Sequence, residues 1–338
     1  MDITHVGGPD GQIRPTLTAL FAPGAWPSHG NPDFLKNRSS RDVMSSSLND
    51  FTPLEDVGGY LDILARLDIG FEIEWNPEHV VNSTWHENIP LAFWMAKILR
   101  PSVFVELGTE NGASYMPFCQ VIKRFGAPTK CHAIDLWKPL NKGDNSHQYK
   151  FDLVNGHSEL HYQGFSTIHR ASFDDCVDMF DAGEIELLHI DGRHSYEETR
   201  HNFDAWADKL SREKGIVIVH DINVVWESEN FGVYRFWDGM RGKYPSFTFA
   251  VGAGLGVLGV GNGLPGQLQY LLSSDNETKL KIQTIFGNRG LNVRRFAEIM
   301  LQGKSLSWKM TQKWKPLAKK PRIFRMNSFL RKIFRGYR

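Results

Sequence analysis

The chain has 338 residues, 41% hydrophobic and 12% aromatic, ample for one large α/β domain with extensions or two smaller ones. Its apolar runs all fall short of the roughly 18 residues a membrane span needs, and its first residues lack the basic-then-apolar order of a secretion signal. Three scattered cysteines, Cys119, Cys131 and Cys176, are too few for a disulfide framework and suit a reducing, cytoplasmic compartment. The net charge of +1 hides an asymmetry: residues 301–338 hold twelve Lys or Arg and no acid, which leaves −11 on the first 300.

Residues 1–50, rich in Gly, Pro, Ser and Asn without a sustained period, read as the loop-like part of a partly ordered N-terminal extension over 1–80. Helices are expected over Leu54–Leu67 and Ile89–Leu99. From Val103 strand and helix alternate as in a parallel sheet. Strands fall at Val103–Leu107, Lys130–Ile134, Thr167–His169, Ile185–Ile190 and Ile216–His220; helices fall at Ser114–Arg124, Asp174–Phe180 and Tyr196–Leu210. The polar excursion Lys138–Gln163, containing His147, Tyr149 and His161, reads as an inserted loop able to close over a substrate. Phe247–Val251 and Leu255–Val260, parted by Gly252 and Gly254, read as a closing hairpin.

The expected architecture is a Rossmann-like, doubly wound α/β sheet in a domain over 81–265, then a helical segment over 266–303 and a basic amphipathic tail over 304–338. In the tail, apolar residues interleave with the cations, and their helix-like spacing around Phe329–Phe334 favours an anionic membrane surface over nucleic acid. The protein would then be peripheral to the inner face of the membrane. A solvated tail is the alternative.

The stretch Val105-Glu106-Leu107-Gly108-Thr109-Glu110-Asn111-Gly112 reads as a buried strand that ends in a carboxylate and turns through glycines into a helix. Glycine permits positive φ and close approach of a ligand to the backbone, and a helix N-terminus offers unpaired N–H groups. A carboxylate at the tip prefers an ammonium or sulfonium to a pyrophosphate, which points towards S-adenosylmethionine (SAM) and away from NAD. Alone, such a loop is equally a tight turn with no ligand.

Four strand tips carry acids: Glu106, Asp135, Asp191 and Asp221. Ligands of such sheets bind at the carboxyl ends of the strands, and four acids converging there repel one another unless a cation sits among them. Glu106 is placed for the SAM ammonium, directly or through water. Asp135 is placed for ribose hydroxyls, or serves as a turn residue. Asp191 and Asp221, with Asn223 nearby, make an oxygen-rich set suited to Mg²⁺. His194 is placed to take a proton from a substrate hydroxyl, or only to start a helix. His132, His189 and His220 fall inside strands and read as core histidines, with His220 able to support the site from behind.

The segments "FVELGTENGASY", "HAIDLW", "LLHIDGRHSYEETRHNFDAW", "GIVIVHDI" and "FGVYRFWDGMRGKYPSFTFAVGAGLGVLGVG" resemble those of class I SAM-dependent O-methyltransferases. The resemblance is to the metal-associated group that includes macrolide-sugar and bacterial surface-glycan methyltransferases, and it covers about Pro90 to Gly261. It implies a seven-stranded sheet, with Glu106, Gly108 and Gly112 on SAM, Asp135 on its ribose, and Ser172, Phe173 and Asp174 bordering adenine. It also implies Asp191 and Asp221 as metal ligands, His194 as the base, and methyl transfer to a sugar hydroxyl of a glycan or glycosylated metabolite. Two departures stand out: Glu110 replaces the commonest motif's middle glycine, and Ile222 rather than Asn follows Asp221. Three expectations stay open: hydroxylation or another reaction on the same metal-bearing scaffold, a non-catalytic subunit anchoring a glycan-synthesis complex, and assembly as a homo-oligomer.

Overall fold

Seven strands form one sheet in the order β3-β2-β1-β4-β5-β7-β6. They are β1 (Val103–Leu107), β2 (Lys130–Asp135), β3 (Ser166–Arg170), β4 (Leu187–Ile190), β5 (Ile216–His220), β6 (Ser246–Phe249) and β7 (Leu255–Gly259). The first five are parallel, while β7 runs antiparallel between β5 and β6. The computed structural model describes residues 56–138, 145–225 and 231–314, the side chains of 304–314 excepted. Residues 1–55 and 315–338, on which most of the N-terminal extension and the basic tail fall, lie outside the described residues.

The central strands are buried on both faces, as parallel strands with helices above and below must be. Period-two alternation divides their side chains between two cores. Phe104, Leu187 and Ile218 join Phe93 and Trp94 of α2 (Ile89–Leu99) and Phe118 of α3 (Tyr115–Phe125). Val105, Leu188 and Val217 join Phe203 and Trp206 of α6 (Tyr196–Trp206) and Phe236 and Trp237 of α7 (Val233–Arg241). Side chains from both sides of the expected boundaries at 80 and 265 share the first core: Ile63 of α1 (Val57–Arg66), Leu268 of α8 (Gly266–Ser273), and Ile285 and Phe286 of α9 (Asn276–Trp314). By compactness the chain divides into units of 1–297 and 298–338, and the sheet lies in the first.

Two helices differ from expectation. The excursion over Lys138–Gln163 contains a 17-residue helix, α4 (Ser146–Tyr162), whose buried residues Val154, Ser158 and Tyr162 recur every fourth position. That stripe is one residue wide, so no amphipathic pattern shows in the sequence. Ser158 and Tyr115 both hydrogen-bond to Ser166 Oγ, at 2.7 and 2.8 Å, which seats α4 beside β3. The second, α7, has no counterpart among the expected elements. Its Trp237 donates to Thr248 Oγ1 at 3.1 Å and lies over β7, where a Cβ on Gly256 would come within 2.4 Å of the indole. The glycine gives the ring its room.

Elsewhere the sequence signals hold. Ser195 caps the start of α6: its Oγ accepts from the Glu198 N–H and donates to the Glu198 carboxylate. A similar cap by Ser172 starts α5 (Phe173–Cys176), shorter than expected because a 3₁₀ turn over Val177–Met179 follows. All three cysteines are free and buried.

Candidate active site

The carboxyl ends of β1, β2, β4 and β5 open onto one cavity of about 810 Å³, within the range of small-molecule sites. Of the ten expected site residues, eight line it: Gly108, Asp135, Ser172, Phe173, Asp174, Asp191, His194 and Asp221. Glu106 and Gly112 do not.

Gly108 has φ +95°, and a Cβ there would stand 2.1 Å from the Asp191 carbonyl oxygen. Its bareness lets the loop after β1 lie against the loop after β4. Gly112, at φ +80°, faces Val154 of α4 and Met116 of α3, which a Cβ would meet at 3.2 and 3.3 Å. It packs between two helices and does not line the cavity.

Glu110 adopts φ +49°, the left-handed region that the commoner glycine would occupy. Three contacts hold it there. Its N–H donates to Asp135 Oδ2 at 2.9 Å, its carbonyl accepts from Trp137 Nε1 at 2.6 Å, and its carboxylate pairs with Lys150 of α4. Asp135 Oδ1 accepts from Trp137 N at 2.9 Å. Asp135 is thus both a turn residue and a cavity-lining acid, and each carboxylate oxygen keeps a lone pair for a hydroxyl.

Ser172 caps α5, and Asp174 accepts from His201 Nε2 at 2.9 Å. The Phe173 ring lies beneath Gly192, where a Cβ would approach it to 2.7 Å. This gives the cavity an apolar floor between polar walls.

Glu106 is 0% exposed, and His189 Nδ1, its in-register neighbour on β4, meets its Oε2 at 2.7 Å. Burial raises the Glu106 carboxyl above the usual range, and His189 opposes that rise. Period two explains the placement: Glu106 shares a face with Phe104 and so points into the layer beneath α2 and α3. Direct contact with an ammonium in the cavity is not what this geometry provides.

At the other end of the cavity stand Asp191, His194 and Asp221, whose nearest donor atoms all lie within 4.8 Å of one another. His194 Nδ1 is 3.1 Å from Asp221 Oδ2, and its ring stacks on Phe231 at 4.5 Å with an interplanar angle of 10°. Asp221 has φ +62°, a strained conformation for a residue with a side chain. His220, nearly buried, brings Nδ1 within 3.2 Å of Oδ1 of both Asp191 and Asp221.

Burial by itself would raise Asp191, but His220, with His189 and His194 behind it, takes its carboxyl down to about 2. Asp221 stays raised, by burial and by the charge of Asp191. His220 is raised: burial opposes its charge, and the two carboxylates outweigh that. The sequence places His220 inside a strand, as a core histidine able to support the site from behind, and the structure sets it against both strand-tip acids. Asn223 donates from Nδ2 to the Ala250 carbonyl at 3.3 Å, its amide lies over Gly254, and it does not line the cavity. Trp85, from a 3₁₀ turn before α2, is a cavity residue that no sequence motif marked.

Residues 105–222 match the family model described as a methyltransferase domain. That span contains every expected site residue. Uncharacterized protein y4gI of Sinorhizobium fredii (strain NBRC 101917 / NGR234) is 33% identical over 177 residues, or 52% of this chain, and the match spans only 19% of that protein. Among solved structures, the O-methyltransferase TomG of Streptomyces achromogenes, involved in tomaymycin synthesis and bound to SAM, is similar at 16% identity. It covers 61% of this chain and 90% of its own, with a TM-score of 0.39. An O-methyltransferase of Bacillus cereus in complex with SAH is 13% identical over 61% of this chain and 94% of its own, with a TM-score of 0.39. Residues 105–222 thus match a methyltransferase domain, and the sheet they belong to is seven-stranded, mixed and Rossmann-like in its order.

Proposed function

We propose that the protein transfers the methyl group of SAM to an oxygen, a sugar hydroxyl of a glycan or glycosylated metabolite, with Mg²⁺ assisting. The observation that carries this reading is the two-ended cavity, with glycine loop and Asp135 at one end and Asp191, His194 and Asp221 at the other. The first end suits a nucleoside with a cationic sulfur. The second suits an acceptor that must lose a proton.

In the proposed reaction the acceptor oxygen attacks the methyl carbon, the carbon–sulfur bond breaks, and S-adenosylhomocysteine (SAH) leaves. The protein's part is alignment and proton removal. With the Asp221 carboxylate facing Nδ1 of His194, the proton sits on Nδ1 and leaves Nε2 as the base, the orienting logic of an acid–histidine pair. Phe231, stacked on the ring, fixes its plane.

Two carboxylates and an imidazole within reach of one another are a donor set that fits a divalent cation. Asp191 and Asp221 are the residues that would hold Mg²⁺, which when bound lowers the pKa of the acceptor hydroxyl. Transfer of labelled methyl from SAM to a panel of sugars, with and without Mg²⁺, tests the reading; no transfer to any hydroxyl would refute it.

Among the described residues no helix is long and apolar enough to cross a membrane. The twelve cations of residues 301–338 support peripheral contact with an anionic leaflet. Vesicle flotation with and without residues 304–338 checks this, and equal flotation of both forms would exclude it.

A further inference from the structure

The strand-tip acids are held from behind in a repeating way. Glu106 on β1 meets Nδ1 of His189 on β4, and Asp191 after β4 meets Nδ1 of His220 on β5. In each case the histidine comes from the next strand in the sheet. His189 and His220 point to one face, beneath the indole of Trp85, whose ring centre lies 5.6 Å from His189 and 6.3 Å from His220. The Nε2 atoms of both histidines are buried and have no hydrogen-bond partner among the described residues.

A fold has no use for this. His220 shares its face of β5 with Ile216 and Ile218, so an apolar side chain would suit that position. A buried imidazole with one nitrogen unpartnered costs stability. What it supplies is an Nδ1 hydrogen-bonded to Asp191 Oδ1 at 3.2 Å and lying 3.2 Å from Asp221 Oδ1, between two carboxylates that would otherwise repel each other.

We infer that His220 is a positioning residue: by bridging Oδ1 of Asp191 and Oδ1 of Asp221, it fixes both carboxylates so that their remaining oxygens face the cavity as one cation-binding edge. His189 does the opposite for Glu106, holding that carboxylate out of the cavity. The histidines thereby decide which strand-tip acids are presented and which are withheld. This rests on the reading of Asp191 and Asp221 as the cation end of a methyltransferase site.

The test uses the full chain with Mn²⁺ as probe, its binding followed by electron paramagnetic resonance, alongside calorimetry of SAH. His220→Leu removes the bridging donor and suits the buried strand. His220→Asn restores an N–H donor close to the position of Nδ1. The expected result is Mn²⁺ affinity at least about tenfold weaker in the Leu variant and largely recovered in the Asn variant, with SAH affinity and melting temperature held in both. Should methyl transfer be detected, kcat falls with Leu and recovers with Asn while KM for SAM stays constant. Wild-type Mn²⁺ affinity in the Leu variant overturns the inference and leaves the methyltransferase reading standing. A wild-type protein that binds SAH but no Mn²⁺ overturns the cation end itself, and the inference with it. If Asn is as damaging as Leu, the bridge is not what His220 provides.

Discussion

The two ends of the cavity are built on different principles. At the glycine-loop end the polar groups are tied to one another: Asp135 accepts two backbone N–H groups, and Glu110 is fastened through its N–H, its carbonyl and its carboxylate. At the other end Asp191, Asp221, His194 and His220 crowd together, and one of them, Asp221, holds a left-handed backbone. The first end is preorganised by its own hydrogen bonds and has hydroxyl-binding capacity left over. The second concentrates charge around His220, where a bound cation or a reacting proton would relieve it further. On the proposed reading one end recognises and the other reacts, and that division says where each kind of mutation should be felt.

Substitutions can break that division in order of expected effect. Gly108→Ala should be the most damaging. It combines a positive φ with a Cβ driven into the Asp191 carbonyl, and should cost about 3 kcal/mol or more in urea unfolding. A fold of unchanged stability would mean that the two loops do not meet as described. His194→Ala should lower kcat by about 100- to 10,000-fold, while calorimetry shows SAH binding as before. Comparable loss of SAH affinity would erase the proposed division of labour.

Asp135→Ala should act at the opposite end, weakening SAH about tenfold and removing about 1 kcal/mol of stability as its two backbone donors turn to water. Mn²⁺ binding should not change. Glu110→Gly should be the mildest. It relieves the left-handed backbone but loses an exposed ion pair worth at most about 1 kcal/mol, so the melting temperature should hold or rise slightly. A marked fall would show that Lys150 holds α4 more firmly than an exposed pair can.

The recognition end was largely legible in the sequence because its determinants are local. Gly108 sits immediately after an apolar run, and Asp135 closes the next strand, so both could be placed by counting along β1 and β2. The reactive end was legible only in its acids and His194. What hid the withdrawal of Glu106 was register: the in-register pairing of Glu106 with His189 belongs to two strands 83 residues apart. The packing of Gly112 against Val154 went unread because Val154 lies on α4, a helix whose narrow buried stripe left no periodic trace. Aromatic residues of α7 went unread for a related reason, since the glycine in β7 that accommodates Trp237 looks like a turn residue in isolation. Short-range chemistry was visible, and cross-strand chemistry was not.

The most direct test of the central claim is a crystal structure grown with SAH and Mn²⁺. The account predicts SAH along the loop at Gly108 with its ribose at Asp135, its sulfur directed towards the far end of the cavity, and an anomalous Mn²⁺ peak between Asp191 and Asp221. SAH seated elsewhere on the sheet, or manganese bound away from those two aspartates, would contradict it.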